Sequence, residues 1–129
     1  MEAALRPSSD AVRVLIADDE PLFVEMVDAL LSAEGIKVVG RAQDGKEAVA
    51  QTLELVPDVT LMDISMPVLD GIEATRAIRQ AVPTACVIVL TGSTVVAEID
   101  RARKAGAAAF LSKDHIASEL IATINEIAR

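Results

Sequence analysis

The chain has 129 residues, 52 % of them hydrophobic and 25 % charged, which suits one ordered domain burying roughly two-thirds of its unfolded surface. Twelve basic against twenty acidic residues leave a net charge of −8, and Phe23 and Phe110 are the only aromatics, which argues against an electrostatic grip on DNA or an anionic membrane and against a base-stacking platform. No apolar run approaches the ~20 residues of a membrane span, and the opening MEAALRPSSD lacks a secretory pattern, so a cytoplasmic protein without membrane contact is expected.

Short apolar runs alternate with amphipathic segments five times along the chain, a pattern that predicts a parallel sheet with helices on both faces. Residues 1–10 read as a loose extension and 11–129 as the domain. VRVLIA (12–17) is apolar on both faces, as a central parallel strand should be. The helix after it carries Leu22, Phe23, Met26, Val27, Leu30 and Leu31 at the three-and-four spacing of an inward stripe, and Gly35 is placed to end it. IKVVGRA (36–42) alternates more and reads as a strand nearer an edge.

Asp44 and Gly45 open the second helix, whose expected stripe is Ala48, Val49 and Leu53 before Pro57. DVTLMD (58–63) is the third strand, and the third helix turns Ile72, Ala74 or Thr75, and Ile78 inward. ACVIVLT (85–91) is the fourth strand; within it Cys86, the single cysteine, is expected to be a buried core thiol. Met26, Met62 and Met66 are expected to pack. A helix over about 95–104, a strand AAAFLS (107–112) and a helix opened by Asp114 or His115, with Leu120, Ile121, Ile124 and Ile127 on one face, complete the chain.

Open parallel sheets bind ligands outside the carboxyl ends of their strands. Here those ends carry Asp18 and Asp19 after the first strand, Asp63 after the third, Thr91 after the fourth and Lys113 after the fifth. Each alone reads well as a helix cap or a loop residue. Together they are harder to explain, because carboxylates ~5 Å apart repel by about 3 kcal/mol per pair at an effective dielectric near 20. A divalent cation offsets that cost, and an all-oxygen set without a Cys or His cluster favours Mg²⁺. Lys113 and Thr91 supply a positive charge and a hydroxyl suited to phosphate oxygens. Asp63, presented where an apolar strand ends, is then the candidate nucleophile for an aspartyl phosphate.

LIADDEP, VTLMDISMPVLDG, VLTGS and FLSKD resemble the signature segments of two-component response-regulator receiver domains, over essentially residues 11–128. VVGRAQDGKEAV and GAAAFLSKD are most similar to the NarL/FixJ-type subgroup. The resemblance implies a flavodoxin-like, doubly wound (βα)5 fold with strand order 2-1-3-4-5. It implies Asp63 as phosphoacceptor, Asp19 as the direct Mg²⁺ ligand with Asp18 acting mainly through water, and the Ser65 backbone carbonyl as a further ligand. Thr91 matches the hydroxyl that contacts the phosphoryl group, Lys113 its basic partner, and Phe110 the aromatic that changes rotamer on activation. Phe110 stands where many relatives have Tyr, and Asp114 follows Lys113 where other branches have Pro.

The implied partner is a sensor histidine kinase, with a possible homodimer on activation. DNA would be reached only through a helix-turn-helix output domain outside this chain. Other readings are an Mg²⁺-dependent phosphohydrolase, which would want an aspartate at position 65, and a flavin-binding module, which would want a Ser, Thr or Gly-rich loop where ADDEP stands. A stand-alone receiver acting by protein contact, or a degenerate one never phosphorylated, completes the set. His115 is expected to be a solvated residue near a helix start.

Overall fold

Five strands alternate with five helices in the computed structural model, which describes residues 11–92 and 96–128. The expected loose segment 1–10, the expected first residue of the fourth helix, Val95, and Arg129 lie outside those residues. The elements are β1 (Arg13–Ala17), α1 (Pro21–Ala33), β2 (Lys37–Ala42), α2 (Gly45–Leu55), β3 (Val59–Asp63), α3 (Gly71–Ala81), β4 (Val87–Thr91), α4 (Val96–Ala105), β5 (Ala109–Ser112) and α5 (Ile116–Ala128). A single 3₁₀ turn, Lys113–His115, joins β5 to α5, with His115 exposed. The strands form one parallel sheet in the order β2-β1-β3-β4-β5, the flavodoxin-like arrangement, with β2 on an edge as its alternating pattern predicts.

Residues β1, β3 and β4 are buried on both faces almost throughout. Val14, Ile16, Val59, Leu61, Ile88 and Leu90 meet α1 and α5 on one side, through Val24, Val27, Leu31, Leu120 and Ile124. Ala17, Met62, Val87 and Val89 meet Ala48, Ile72, Ala74, Ile78 and Ala102 of α2, α3 and α4 on the other. Strand side chains alternate between faces, so a continuous apolar run is what two covered faces require.

The stripe expected on α1 is rotated. Val24, Val27 and Leu31 are buried, whereas Leu22 is 86 % and Met26 41 % exposed. At roughly 100° per residue Leu22 and Met26 fall on the side opposite Val24, and the three-and-four spacing of this segment fits two stripes. On α2, likewise, Ala48 and Thr52 are buried and Leu53 is exposed. Cys86 precedes β4 and is half-buried against the α1/α5 core instead of lying fully inside it. Met62 and Met66 are buried as expected.

Helix ends follow local chemistry. Asp44 and Asp70 cap α2 and α3 by accepting from the Glu47 and Glu73 N–H groups at 2.7 and 2.9 Å. Gly35 takes φ +75° just past α1. Pro21 occupies the first turn of α1, where its missing N–H costs nothing, but the residue before it, Glu20, makes no side-chain cap bond. That leaves a carboxylate free to reach elsewhere.

Candidate functional site

Strand register assembles the site. Ala17 pairs with Met62, so the next residues, Asp18 and Asp63, leave β1 and β3 side by side. Asp63 pairs with Leu90, which sets Thr91 one step further along β4, and Thr91 pairs with Ser112, which sets Lys113 one step further again. Asp18, Asp63 and Thr91 are buried, at 2, 5 and 3 % exposure. The structure thus brings Asp18, Asp63, Thr91 and Lys113 to one edge, as the strand ends predict.

Lys113 lies at the centre. Its Nζ is 2.7 Å from Asp18 Oδ2, 2.7 Å from Glu20 Oε1 and 3.5 Å from Asp63 Oδ1, and it sits 4.4 Å from the centroid of the Phe23 ring. Asp18 in turn accepts from the Glu20 N–H at 2.9 Å through Oδ1. Asp18, Glu20 and Asp63 each place a carboxylate oxygen within 4.8 Å of the other two. One ammonium facing three carboxylates leaves an excess of two negative charges.

The electrostatics follow. Burial pushes the Asp63 carboxyl up to about 6, the neighbouring Asp18 charge adds to the rise, and Lys113 with the Ser65 backbone N–H opposes it. Burial alone would lower the Lys113 ammonium, but hydrogen bonds to Asp18 and Glu20 and the Asp63 charge outweigh it and hold it above its ordinary value. Lys113 in turn holds the Glu20 carboxyl below the usual carboxylate range.

The loop after β3 is held tightly. The Gly71 N–H donates to the Ile64 carbonyl at 2.8 Å, and a Cβ at Gly71 would lie 2.0 Å from the Asp63 carbonyl oxygen. Only glycine lets α3 begin this close to the nucleophile candidate. Within the loop the Leu69 N–H donates to Pro67 at 2.7 Å across Val68, whose φ is +71°. That is the uncommon γ-turn geometry, carried by a β-branched residue.

The donor set fits a hard divalent cation: only carboxylate oxygens converge, two of them on buried residues, and their charge exceeds what Lys113 neutralises. Asp19, expected as the direct ligand, is exposed and lines a cleft of about 120 Å³ with Pro21, Val24, Glu25 and Arg41; the group that meets Asp18 and Asp63 includes Glu20 and not Asp19. Glu20 and Phe23 are the residues that sequence reasoning missed. The signal was a third acid at the cap position of α1, where Ser, Thr, Asp or Asn is the usual choice.

Phe110 is half-buried against the α2–α4 core and borders a cleft of about 210 Å³ with Ile99, Ala102 and Arg103 of α4. On α4, Asp100 pairs with Arg103 at 3.6 Å and with Lys104 at 3.1 Å. No helix among the described residues is long and apolar enough to cross a membrane.

The family profile of the response regulator receiver domain matches residues 14–125. The chain is 40 % identical over 110 residues to protein-glutamate methylesterase/protein-glutamine glutaminase 1 of Syntrophus aciditrophicus, covering 83 % of this chain and 31 % of that protein. It is 36 % identical over 117 residues to the chemotaxis protein CheY of Thermotoga maritima, covering 91 % of this chain and 98 % of that one. The receiver domain structure of the response regulator NarL from Mycobacterium tuberculosis superposes with a TM-score of 0.87 at 35 % identity, covering 92 % and 96 % of the two chains. Against the longer curated relatives this chain spans only part of the protein, 31 % for the Syntrophus aciditrophicus methylesterase and 57 % for the whole M. tuberculosis NarL.

Proposed function

The chain belongs to the response regulator receiver domain family, and we propose that it is the phosphorylation-dependent switch of a two-component system, accepting a phosphoryl group on Asp63 from a sensor histidine kinase. The observation that carries this reading is the convergence of Asp18, Glu20 and Asp63 on Lys113 at the carboxyl edge of the sheet.

Asp63 is the nucleophile: one carboxylate oxygen bonds to phosphorus as the bond from phosphorus to the donor's imidazole nitrogen breaks, and the nitrogen keeps that electron pair. With the carboxyl pushed up to about 6, Asp63 is mostly ionised at neutral pH and more basic than an ordinary aspartate. Lys113 offers its ammonium to a phosphoryl oxygen, and Thr91, one strand over, offers a hydroxyl to another. Mg²⁺ would be held by Asp18 and Asp63, the two buried carboxylates of the cluster, joined by the Ser65 carbonyl and by Asp19, which lines the adjoining cleft with Asp18, and when bound it supplies neutralisation of phosphoryl charge. Ser65 lacks the carboxyl that the phosphohydrolase reading needs two residues after the nucleophile.

Activation follows from packing. Drawing the Thr91 hydroxyl toward the phosphoryl group opens space that Phe110 can enter, and the cleft beside Phe110 and α4 supports a second ring position. The altered surface is that of α4, β5 and α5, on which a homodimer or an output domain would be read. The likeness to NarL, a probable transcriptional regulatory protein, supports transcription as that output, through a DNA-binding domain elsewhere.

Treatment with acetyl phosphate and Mg²⁺, followed by intact-mass measurement, tests the chemistry. One added phosphate is expected on the wild type and none on Asp63→Asn; an equal gain in the variant overturns the assignment.

A further inference from the structure

Glu20 and Phe23 stand one helical turn apart at the start of α1 and approach the same ammonium from two sides. Glu20 touches Lys113 Nζ at 2.7 Å, and the Phe23 ring lies 4.4 Å from it. The Glu20 side chain is 64 % exposed and caps no helix N–H; among the described residues its carboxylate pairs with Lys113. Lys113 is accordingly closer to this exposed acid than to the Asp63 carboxylate, at 3.5 Å.

We propose that Glu20 and Phe23 form a resting cradle for Lys113, in which Glu20 competes with a phosphoryl group on Asp63 for the ammonium and so weakens the phosphorylated state. The inference rests on the function proposed above. An ammonium has three N–H donors, and Asp18, Glu20 and Asp63 are the acceptors around it. The contact to Asp63 is the long one, 3.5 Å against 2.7 Å to Asp18 and to Glu20, so a phosphoryl oxygen there draws the ammonium away from its two short partners. Asp18 is buried and already anchored by the Glu20 N–H, so the bond given up is the one to the exposed Glu20 carboxylate. The Phe23 ring, packed against the α1/α5 core, keeps its face toward the ammonium in both positions, because the attraction to a π face tolerates lateral movement. Glu20 is therefore a positioning residue that acts through Lys113, and its charge sets how readily Lys113 leaves.

The test is titration with beryllofluoride, the phosphoryl mimic, at saturating Mg²⁺, on the wild type, Glu20→Gln, Lys113→Met and the double variant, with the Lys113 Nζ resonance followed in the first two. An exposed ion pair corresponds to an expected gain of about two- to fivefold in affinity for Glu20→Gln. That gain is expected to vanish in the Lys113→Met background, and the free Glu20→Gln protein is expected to show its Nζ resonance displaced toward the mimic-bound position. Unchanged affinity in Glu20→Gln overturns the inference. So does an equal gain without Lys113, which would make the effect one of charge through space, and so does markedly weaker Mg²⁺ binding by Glu20→Gln, which would make Glu20 a metal ligand. If Lys113→Met does not fold, an unmoved Nζ resonance in Glu20→Gln is itself overturning. A wild type that binds no mimic refutes the receiver chemistry instead, a result distinct from each of these.

Discussion

The two edges of the sheet are built from similar polar residues and settle their charges differently. At the amino edge Arg13 donates its guanidinium to the Val56 and Leu55 carbonyls at 2.9 and 3.0 Å, its N–H goes to Asp58 at 2.8 Å, and the buried Thr52 and Thr60 hydroxyls pair at 3.1 Å. Each group there has a local partner. At the carboxyl edge three carboxylates share one ammonium, and burial holds Asp63 up at about 6. Backbone strain does not separate the two, since each has one valine at positive φ, Val56 at +47° and Val68 at +71°. Uncompensated charge does. An edge that keeps mutual repulsion between carboxylates is suited to a cationic ligand, whereas the named groups of the opposite edge pair with one another.

The largest effect that would sharpen this contrast concerns Asp63. Its carboxyl is raised in the fold, so the native state binds the proton more tightly than the unfolded chain does. Stability from this group therefore falls as pH rises from about 4 to about 6, and the full deficit is present above that. Two units correspond to about 3 kcal/mol as an upper figure. Asp63→Asn is expected to be more stable than wild type by up to that amount at pH 8 without Mg²⁺, and no more stable near pH 3.5, as read by denaturant unfolding. A wild type equally stable at both pH values relative to the variant would break the contrast.

Metal binding comes next. Asp19→Asn is expected to weaken Mg²⁺ binding at least about tenfold, and Asp58→Asn at the other edge to leave it unchanged. Calorimetric titration distinguishes them; equal losses would place the cation elsewhere. Arg13→Ala should then cost about 1 kcal/mol, the value of its carbonyl hydrogen bonds, by the same amount at pH 5 and pH 8, with phosphorylation by acetyl phosphate unaltered. The smallest effect is the shared one. Val56→Gly and Val68→Gly should each raise stability by less than about 1 kcal/mol, relief of left-handed strain being mostly offset by glycine's extra freedom in the unfolded chain. A gain at only one edge would show that strain, too, is unequally distributed.

Much of the candidate site is legible in the chain because strand ends are legible. An apolar run that stops at a polar residue marks both the strand and the residue it presents, and in a parallel sheet all such ends face the same way, so Asp18, Asp63, Thr91 and Lys113 could be grouped without coordinates. The strands themselves begin one or two residues later than their apolar runs, as with Ala107 and Ala108 before β5, since hydrophobicity extends into turns that ladder hydrogen bonds do not reach.

Three things were decided only by tertiary structure. The rotation of α1, which buries Val24 and exposes Leu22 and Met26, depends on which of two stripes the sheet accepts. The raised proton affinity of Asp63 depends on burial and on Asp18, forty-five positions away in sequence and adjacent only through the β1–β3 register. The Glu20–Lys113–Phe23 contact joins residues ninety or more positions apart. Residue order determined the alternation of strands and helices and the polar residues at their ends, because those depend on local periodicity. It left open the contacts of Glu20, since the direction of an exposed side chain is set by whichever charge the fold brings within reach.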